Sequence, residues 1–304
     1  MNGYTYTPDE IAKLFKISKH TVYELIKRGE LQAFKVGNKM RVEESEVDRF
    51  KQNMVSSPSK NSPKVQVNPS SLRLSGSHDF LVEYLVKYIT KEADILSIQP
   101  TFIGSLEGLM MLHRGSADIA AIHLLDPASH EYNLPFIKQI FVHEKITVMR
   151  LANREQGLIV AKDNPKQITG FRDLIRKDIC FVNRQKGSGT RFLLDSLLAK
   201  EGVGPESIKG YEVEEWNHLS TASYISRGDA DIAFGIRSAA SQLNLDFIPI
   251  ATEQFDLVFR WTPQNESNLQ HLIDMIQLTT FKDHVLKLDG YDASELGTII
   301  YEHR

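Results

Sequence analysis

The stretch Phe181–Leu198, FVNRQKGSGTRFLLDSLL, decides how the larger part of this chain is read. Cys180-Phe181-Val182 reads as a short apolar strand, and a tight polar loop follows it. Phe192, Leu193, Leu194, Leu197 and Leu198 then recur at helical spacing as one buried face. Gly187 and Gly189 allow the backbone to approach a ligand closely, while Ser188 and Thr190 are able to cap the helix or offer hydroxyls. The first turn of a helix has N–H groups without helical partners and carries roughly half a positive charge. The stretch therefore predicts an oxyanion or carboxylate cradle, or else an ordinary capped strand-to-helix turn.

Working outward, the same grammar recurs. Leu72-Arg73-Leu74 reads as a strand that passes through Ser75-Gly76-Ser77-His78-Asp79 into a helix ending near Lys91. Ile95–Gln99 is a second strand, followed by Phe102-Ile103-Gly104-Ser105 and a helix to Arg114; Asp118–Leu124 is a third strand. Alternation of this kind predicts an α/β domain with largely parallel strands from residue 71 to residue 304. An internal echo divides it. Arg114-Gly-Ser-Ala-Asp-Ile-Ala120 returns as Arg227-Gly-Asp-Ala-Asp-Ile-Ala233, in each case a helix closed by glycine and a buried strand. Two similar lobes with helix starts facing a shared cleft are expected, lobe 1 at about 71–160 and 255–304, lobe 2 at about 161–254. A two-stranded hinge is expected near Gly157–Lys162 and Phe247–Val258.

The first 54 residues are built differently. Thr7-Pro8-Asp9-Glu10 combines an N-cap, a proline at the first helical position and a glutamate at the third, a capping-box start. Ile11, Ala12, Leu14 and Phe15 supply its apolar face. Ser18 caps a second helix, Lys19–Lys27, with Val22, Leu25 and Ile26 inward. Leu31–Val36, Gly37-Asn38-Lys39 and Met40-Arg41-Val42 form a hairpin with a basic tip, and Glu43–Lys51 a closing helix. Residues 55–70, rich in serine, asparagine and proline, read as a linker.

Composition narrows the function class. With 41% apolar and 25% charged residues among 304, the chain has the profile of a soluble globular protein of two or three domains. No apolar run approaches the roughly 18 residues that span a membrane, and the start MNGYTYTPDEIAKLF has no signal-like basic and apolar regions. One cysteine, Cys180, fits a reducing compartment, so a cytoplasmic location is expected. A net charge of −3 means that any nucleic-acid contact must be local.

The stretch YTPDEIAKLFKISKHTVYELIKRGELQAFKVGNKMRVEESEVDRF resembles the excisionase/MerR-like winged helix-turn-helix family. The resemblance implies a second helix in the major groove and a wing beside the phosphates of a double-stranded operator. Lys19, His20, Thr21 and Tyr23 then face bases or backbone, and Arg28, Lys35, Lys39 and Arg41 face phosphates. GSLEGLMMLHRGSADIAAIHLLDP, GLIVAKDNPKQITGFRDL, FVNRQKGSGTRFLLDSLL, SRGDADIAFGIRSAA and LDFIPIATEQFDLVF together resemble the type II periplasmic-binding-protein fold. Within it, they are most similar to the molybdate-binding-protein-like domains fused to DNA-binding modules in bacterial regulators. That likeness implies a one-component transcriptional regulator, commonly a homodimer, with molybdate or tungstate as effector and no cofactor.

Family pattern and local chemistry together point to Ser75, Ser77 and Ser105 from one lobe. From the other they point to Ser188, Gly189, Thr190 and Arg191, with His218, Ser220 and Thr221 behind them and Arg184 adding charge. His218 reads as a surface histidine or, if it faces the cleft, as the donor of a pH-dependent hydrogen bond near the ordinary histidine range. His123, Asp126, His130 and His143 match no zinc spacing, so no metal site is assigned. No serine, histidine and acid set with convincing context is found, and an enzyme is not expected. Two alternatives remain open: the same architecture with an organic effector, as in LysR-type regulators, and a transport receptor.

Overall fold

The computed structural model describes residues 5–15, 22, 26, 31–36, 39–55, 71–93 and 96–303. The chain divides into two compact units, Met1–Gln66 and Val67–Arg304.

In the first unit strand β1 (Thr5–Tyr6), helix α1 (Pro8–Phe15), strands β2 (Phe34–Val36) and β3 (Lys39–Glu43) and helix α2 (Glu44–Val55) are described. The capping box is formed on both sides. The Thr7 N–H donates to Glu10 Oε2 at 2.7 Å, and the Glu10 N–H donates to Thr7 Oγ1 at 3.2 Å. β2 and β3 pair as the expected hairpin, and β1 adds to its other edge. Ile11, Val22, Leu31, Val42, Val47 and Phe50 close the core; Val22 and Ile26 are helical, Val22 fully buried and Ile26 packed beside it. Lys19, His20, Thr21, Tyr23 and Arg28 lie outside the described residues, as does the linker from residue 56 to residue 70. Lys35 and Lys39 fall on β2 and β3, and Arg41 on β3 with its guanidinium close to the Met40 carbonyl.

The second unit is built on one mixed sheet with the order β5-β4-β6-β11-β7-β10-β8-β9. Its strands are β4 (Ser71–Gly76), β5 (Ser97–Phe102), β6 (Ile119–Ile122), β7 (Ile146–Val160), β8 (Phe181–Arg184), β9 (Glu214–Glu215), β10 (Ile232–Ile236) and β11 (Asp246–Arg260). β12 (Tyr291–Asp292) and β13 (Ile299–His303) add to β7. The order is its own mirror. β5-β4-β6 is a parallel set met by antiparallel β11, and β9-β8-β10 is a parallel set met by antiparallel β7. Helices α3 (Phe80–Glu92) and α4 (Ser105–His113) serve the first set; α6 (Gly189–Glu201) and α7 (His218–Arg227) serve the second. Between them lies the short α5 (Leu134–Ile140).

The internal echo is physical. Gly115 and Gly228 both take left-handed backbone at the helix exit, with φ of 74° and 76°. Asp118 then accepts the Arg73 N–H at 2.9 Å, and Asp231 accepts the Cys180 N–H at 2.8 Å. Each aspartate thus ties the incoming strand of its lobe to the central one.

β7 and β11, fifteen residues each, run antiparallel through both lobes. β7 pairs with lobe 1 strand β13 at Ile146–Met149 and with lobe 2 strand β10 at Gln156–Val160. The crossing therefore lies between residues 150 and 156 of β7, earlier than the expected Gly157–Lys162, which is already paired inside lobe 2. The matching segment of β11 carries register shifts at Pro249/Ala251 and Phe255/Asp256.

Candidate functional site

The parallel strands of both lobes end at the same edge of the second unit, and there the lobes touch. The Leu106 N–H reaches the Gly187 carbonyl at 3.4 Å. A Cβ on Gly189 would stand 2.2 Å from the His123 carbonyl oxygen. Glycine at 189 thus serves the close approach of lobe 2 to lobe 1, where the sequence suggested approach to a ligand. Along this contact lies a continuous buried polar network.

From lobe 1, Ser77 follows β4, Ser105 opens α4 and His123 follows β6; all three are buried. Their atoms form a chain. Ser105 Oγ and Ser77 Oγ are 2.8 Å apart, Ser77 Oγ and His123 Nε2 3.0 Å, and His123 Nδ1 and Glu253 Oε2 2.8 Å. The His123 N–H also donates to Ser105 Oγ at 3.2 Å. Glu253 and its register partner Arg154 come from the crossing segments of β11 and β7. Arg154 is fully buried between two carboxylates, Glu253 and Asp79, and its guanidinium lies 4.0 Å from the centre of the Phe255 ring. Asp79 is itself the N-cap of α3 and accepts the Tyr291 hydroxyl at 2.8 Å. The Arg154 charge, together with His123, holds the Glu253 carboxyl down to about 2 against the upward push of burial.

From lobe 2, Ser188 caps α6 by accepting the Arg191 N–H at 3.2 Å. Thr190 Oγ1 accepts a 3.1 Å bond from Gln156 Nε2, whose other donor bond runs 2.8 Å to Glu253. Arg184 ends β8 and is 3% exposed. Its guanidinium donates to the Trp216 carbonyl at 3.1 Å and to His218 Nδ1 at 2.8 Å. Among the described residues it forms no ion pair. Burial, with the like charge of Arg154, pushes its pKa down to about 9. Because His218 Nδ1 accepts from Arg184, its hydrogen sits on Nε2, which is buried without a partner among the described residues. Gln156 Oε1, Arg154 Nε and His78 Nδ1 are likewise buried without a hydrogen-bond partner among the described residues.

The expected residues thus separate by what they touch. Ser77, Ser105, Ser188, Gly189, Thr190 and His218 meet along the interlobe contact. Ser75 lies within β4, its hydroxyl 2.9 Å from the Gly108 carbonyl and 3.3 Å from that of Ile119, which packs α4 onto the sheet. The Ser220 N–H and the Thr221 hydroxyl are bound to Asn217 at the start of α7. Arg191 is matched by Asp195 and Glu214 and covers the Tyr211 ring, so the guanidinium facing the cleft without an acid is Arg184. His218 does not keep an ordinary histidine range. Burial and Arg184 hold its pKa well below it, and the imidazole is a fixed neutral donor.

A helix-turn-helix domain model matches residues 5–54, and a PBP superfamily domain model matches residues 87–277. The chain belongs to the PBP superfamily. YvgK of Bacillus subtilis, an uncharacterised protein, is 37% identical over 306 residues, covering 98% of each chain. Among solved structures, a phosphate ABC transporter substrate-binding protein with bound phosphate from Clostridium perfringens aligns at TM-score 0.54 and 19% identity. It covers 73% of this chain and 98% of its own. A tungstate ABC transporter structure from Geobacter sulfurreducens aligns at TM-score 0.51 and 15% identity, over 69% and 95%. At these identities the likeness shows the fold.

Within this PBP superfamily domain, sequence reading missed Asp79, His123, Arg154, Gln156 and Glu253 as members of the site. Ser77, His123 and Glu253 even stand in the hydroxyl–imidazole–carboxylate order of a serine nucleophile. Glu253, however, shares its charge with Arg154, and burial keeps His123 below its ordinary range, so without a further negative charge beside it the imidazolium that such a step needs is poorly supported. A groove of about 1020 Å³ lies elsewhere on lobe 1, beside Lys145, Arg260 and Trp261; none of its charged side chains is buried. The buried network, not this open groove, is the candidate ligand site. Among the described residues no helix is long and apolar enough to cross a membrane.

Proposed function

We propose that this protein is a cytoplasmic one-component transcriptional regulator whose PBP superfamily domain senses an oxyanion, with molybdate and tungstate the first candidates. The winged helix-turn-helix unit reads operator DNA, as a homodimer on paired half-sites. The observation that carries the reading is Arg184, a buried guanidinium with no carboxylate bonded to it among the described residues, beside the Nε2–H of His218 at the start of α7, likewise unpartnered among them. A buried charge of this kind is expensive unless a counter-charge arrives. An anion in the cleft supplies it, and the starts of α6 and α7 add their positive ends. The phosphate and tungstate transport proteins that share the fold fit a ligand of this class.

Thermal unfolding of the full chain with molybdate, tungstate, sulfate or phosphate tests the reading. A site that binds only the folded state adds about 2.7 kcal/mol of stability at a hundredfold excess over Kd. Molybdate or tungstate should raise Tm, and Arg184→Gln should remove the rise. No rise with any of the four ions would reject the oxyanion and leave an organic acid as effector, the Arg184 guanidinium then meeting its carboxylate.

A further inference from the structure

The hydrogens of the lobe 1 chain can be followed one at a time. Glu253 is ionised, so His123 Nδ1 carries a hydrogen and donates it to Oε2 at 2.8 Å. Burial disfavours a second hydrogen on the ring, which leaves Nε2 with a lone pair. Its neighbour is the Ser77 hydroxyl at 3.0 Å, which therefore points its hydrogen at the ring. Ser77 Oγ in turn accepts from Ser105 at 2.8 Å, and Ser105 accepts from the His123 backbone N–H. In this state both hydroxyl hydrogens run inward, and the serine oxygens present only lone pairs to anything that approaches them. Such a surface repels an oxyanion.

One added proton reverses the chain. With hydrogen on both ring nitrogens, Nε2 donates to Ser77, Ser77 donates to Ser105, and the Ser105 hydrogen is released toward the cleft. We propose that binding of a fully deprotonated oxyanion at this site is coupled to uptake of one proton by His123, which turns the Ser77–Ser105 pair from acceptor to donor. The proposal rests on the oxyanion reading given above. It makes His123 a specificity-determining residue: an anion with a hydrogen of its own can donate to the serine oxygens directly, whereas molybdate or tungstate must wait for the proton.

The charged surroundings agree. The groups around His123 are Glu253 from β11, Arg154 from β7 with Asp79 behind it on the α3 cap, Arg184 from β8 and His218 from α7, and beyond His218 stands His78, bonded to Glu83. Asp79 and Glu253 balance the two guanidiniums, and the His123 and His218 imidazoles are neutral. A dianion placed among them leaves net negative charge, and a proton on His123, whose Nδ1 already faces a carboxylate, relieves part of it.

The test is calorimetric titration of the full chain with sodium molybdate at pH 8, in buffers that differ in heat of ionisation. The dependence of the observed heat on the buffer gives the protons exchanged. Uptake near one proton per bound molybdate is expected, with affinity falling about tenfold per pH unit as alkalinity rises. Ser77→Ala removes the link to Nε2 while Ser105 stays free to donate; it should still bind, with uptake reduced below half. Binding without uptake in the native chain overturns the proposal and leaves the oxyanion reading intact. Full uptake retained in Ser77→Ala overturns it too, since the proton then acts elsewhere. Absence of binding by molybdate, tungstate, sulfate and phosphate alike rejects the oxyanion reading and this proposal together.

Discussion

Arg154 shows how much one side chain holds together. Fully buried between Asp79 and Glu253, it joins the cap of α3 to both crossing strands. Removing it exposes two carboxylates to each other in a water-poor site, so Arg154→Ala should cost about 3–5 kcal/mol in urea unfolding. The histidines set an acid limit. His123 and His218 are held below their ordinary range in the folded chain, whereas the unfolded chain takes up protons near pH 6.5. The unfolded state therefore gains protons first as pH falls. Stability should be level above about pH 7 and decline below about pH 6.5, and urea unfolding at pH 7.5, 6.5 and 5.5 would show it. A free energy unchanged across that series would contradict the neutral, buried imidazoles.

At the scale of elements, local chemistry was the legible part. The capping box at Thr7, the Gly115 and Gly228 helix exits and the turn-borne serines all follow from residues within four positions of one another. The Arg154–Glu253–His123 system was not legible, because its members come from two crossing strands and the turn after β6, and His123 and Glu253 are 130 positions apart. A signal did exist: charged residues interrupt the apolar runs of β7 and β11, and Arg154 and Glu253 face each other in register. Pairing two distant strands was needed to see it. Ser188 is a helix cap, as one of its two readings had it, and it lies at the interlobe contact. Gly189 is decided by packing. Gly189→Ala places a methyl against the His123 carbonyl, so the lobes should fail to seat. Molybdate affinity in the variant should drop at least tenfold while far-ultraviolet circular dichroism stays native; unchanged affinity would mean that this contact is not part of the bound form.

At the scale of the molecule, the mirror order of strands makes each lobe a copy of one plan, and the repeated R-G-x-A-D-I-A segments announced that plan in the sequence. The helix-turn-helix unit was equally readable, because its core positions Ile11, Val22, Leu31, Val42, Val47 and Phe50 form one small cluster. Sensing and DNA reading are coupled only if the ligand favours one DNA-binding state, and then the coupling is reciprocal. Saturating operator DNA should change molybdate affinity by the same factor by which molybdate changes operator affinity, measured in one buffer by fluorescence anisotropy and calorimetry. Unequal factors would mean that the two events report different equilibria.

If the proposed site holds the effector, the pivot of this domain is also its detector. Arg154, Gln156 and Glu253 sit on the spans of β7 and β11 that pass from one lobe to the other. A ligand that engages them pulls on the fulcrum itself, with no intervening lever to slacken. Molecules that bind outside this network would occupy the protein without moving it. They would be silent antagonists, and a search for inhibitors of this regulator should begin with them.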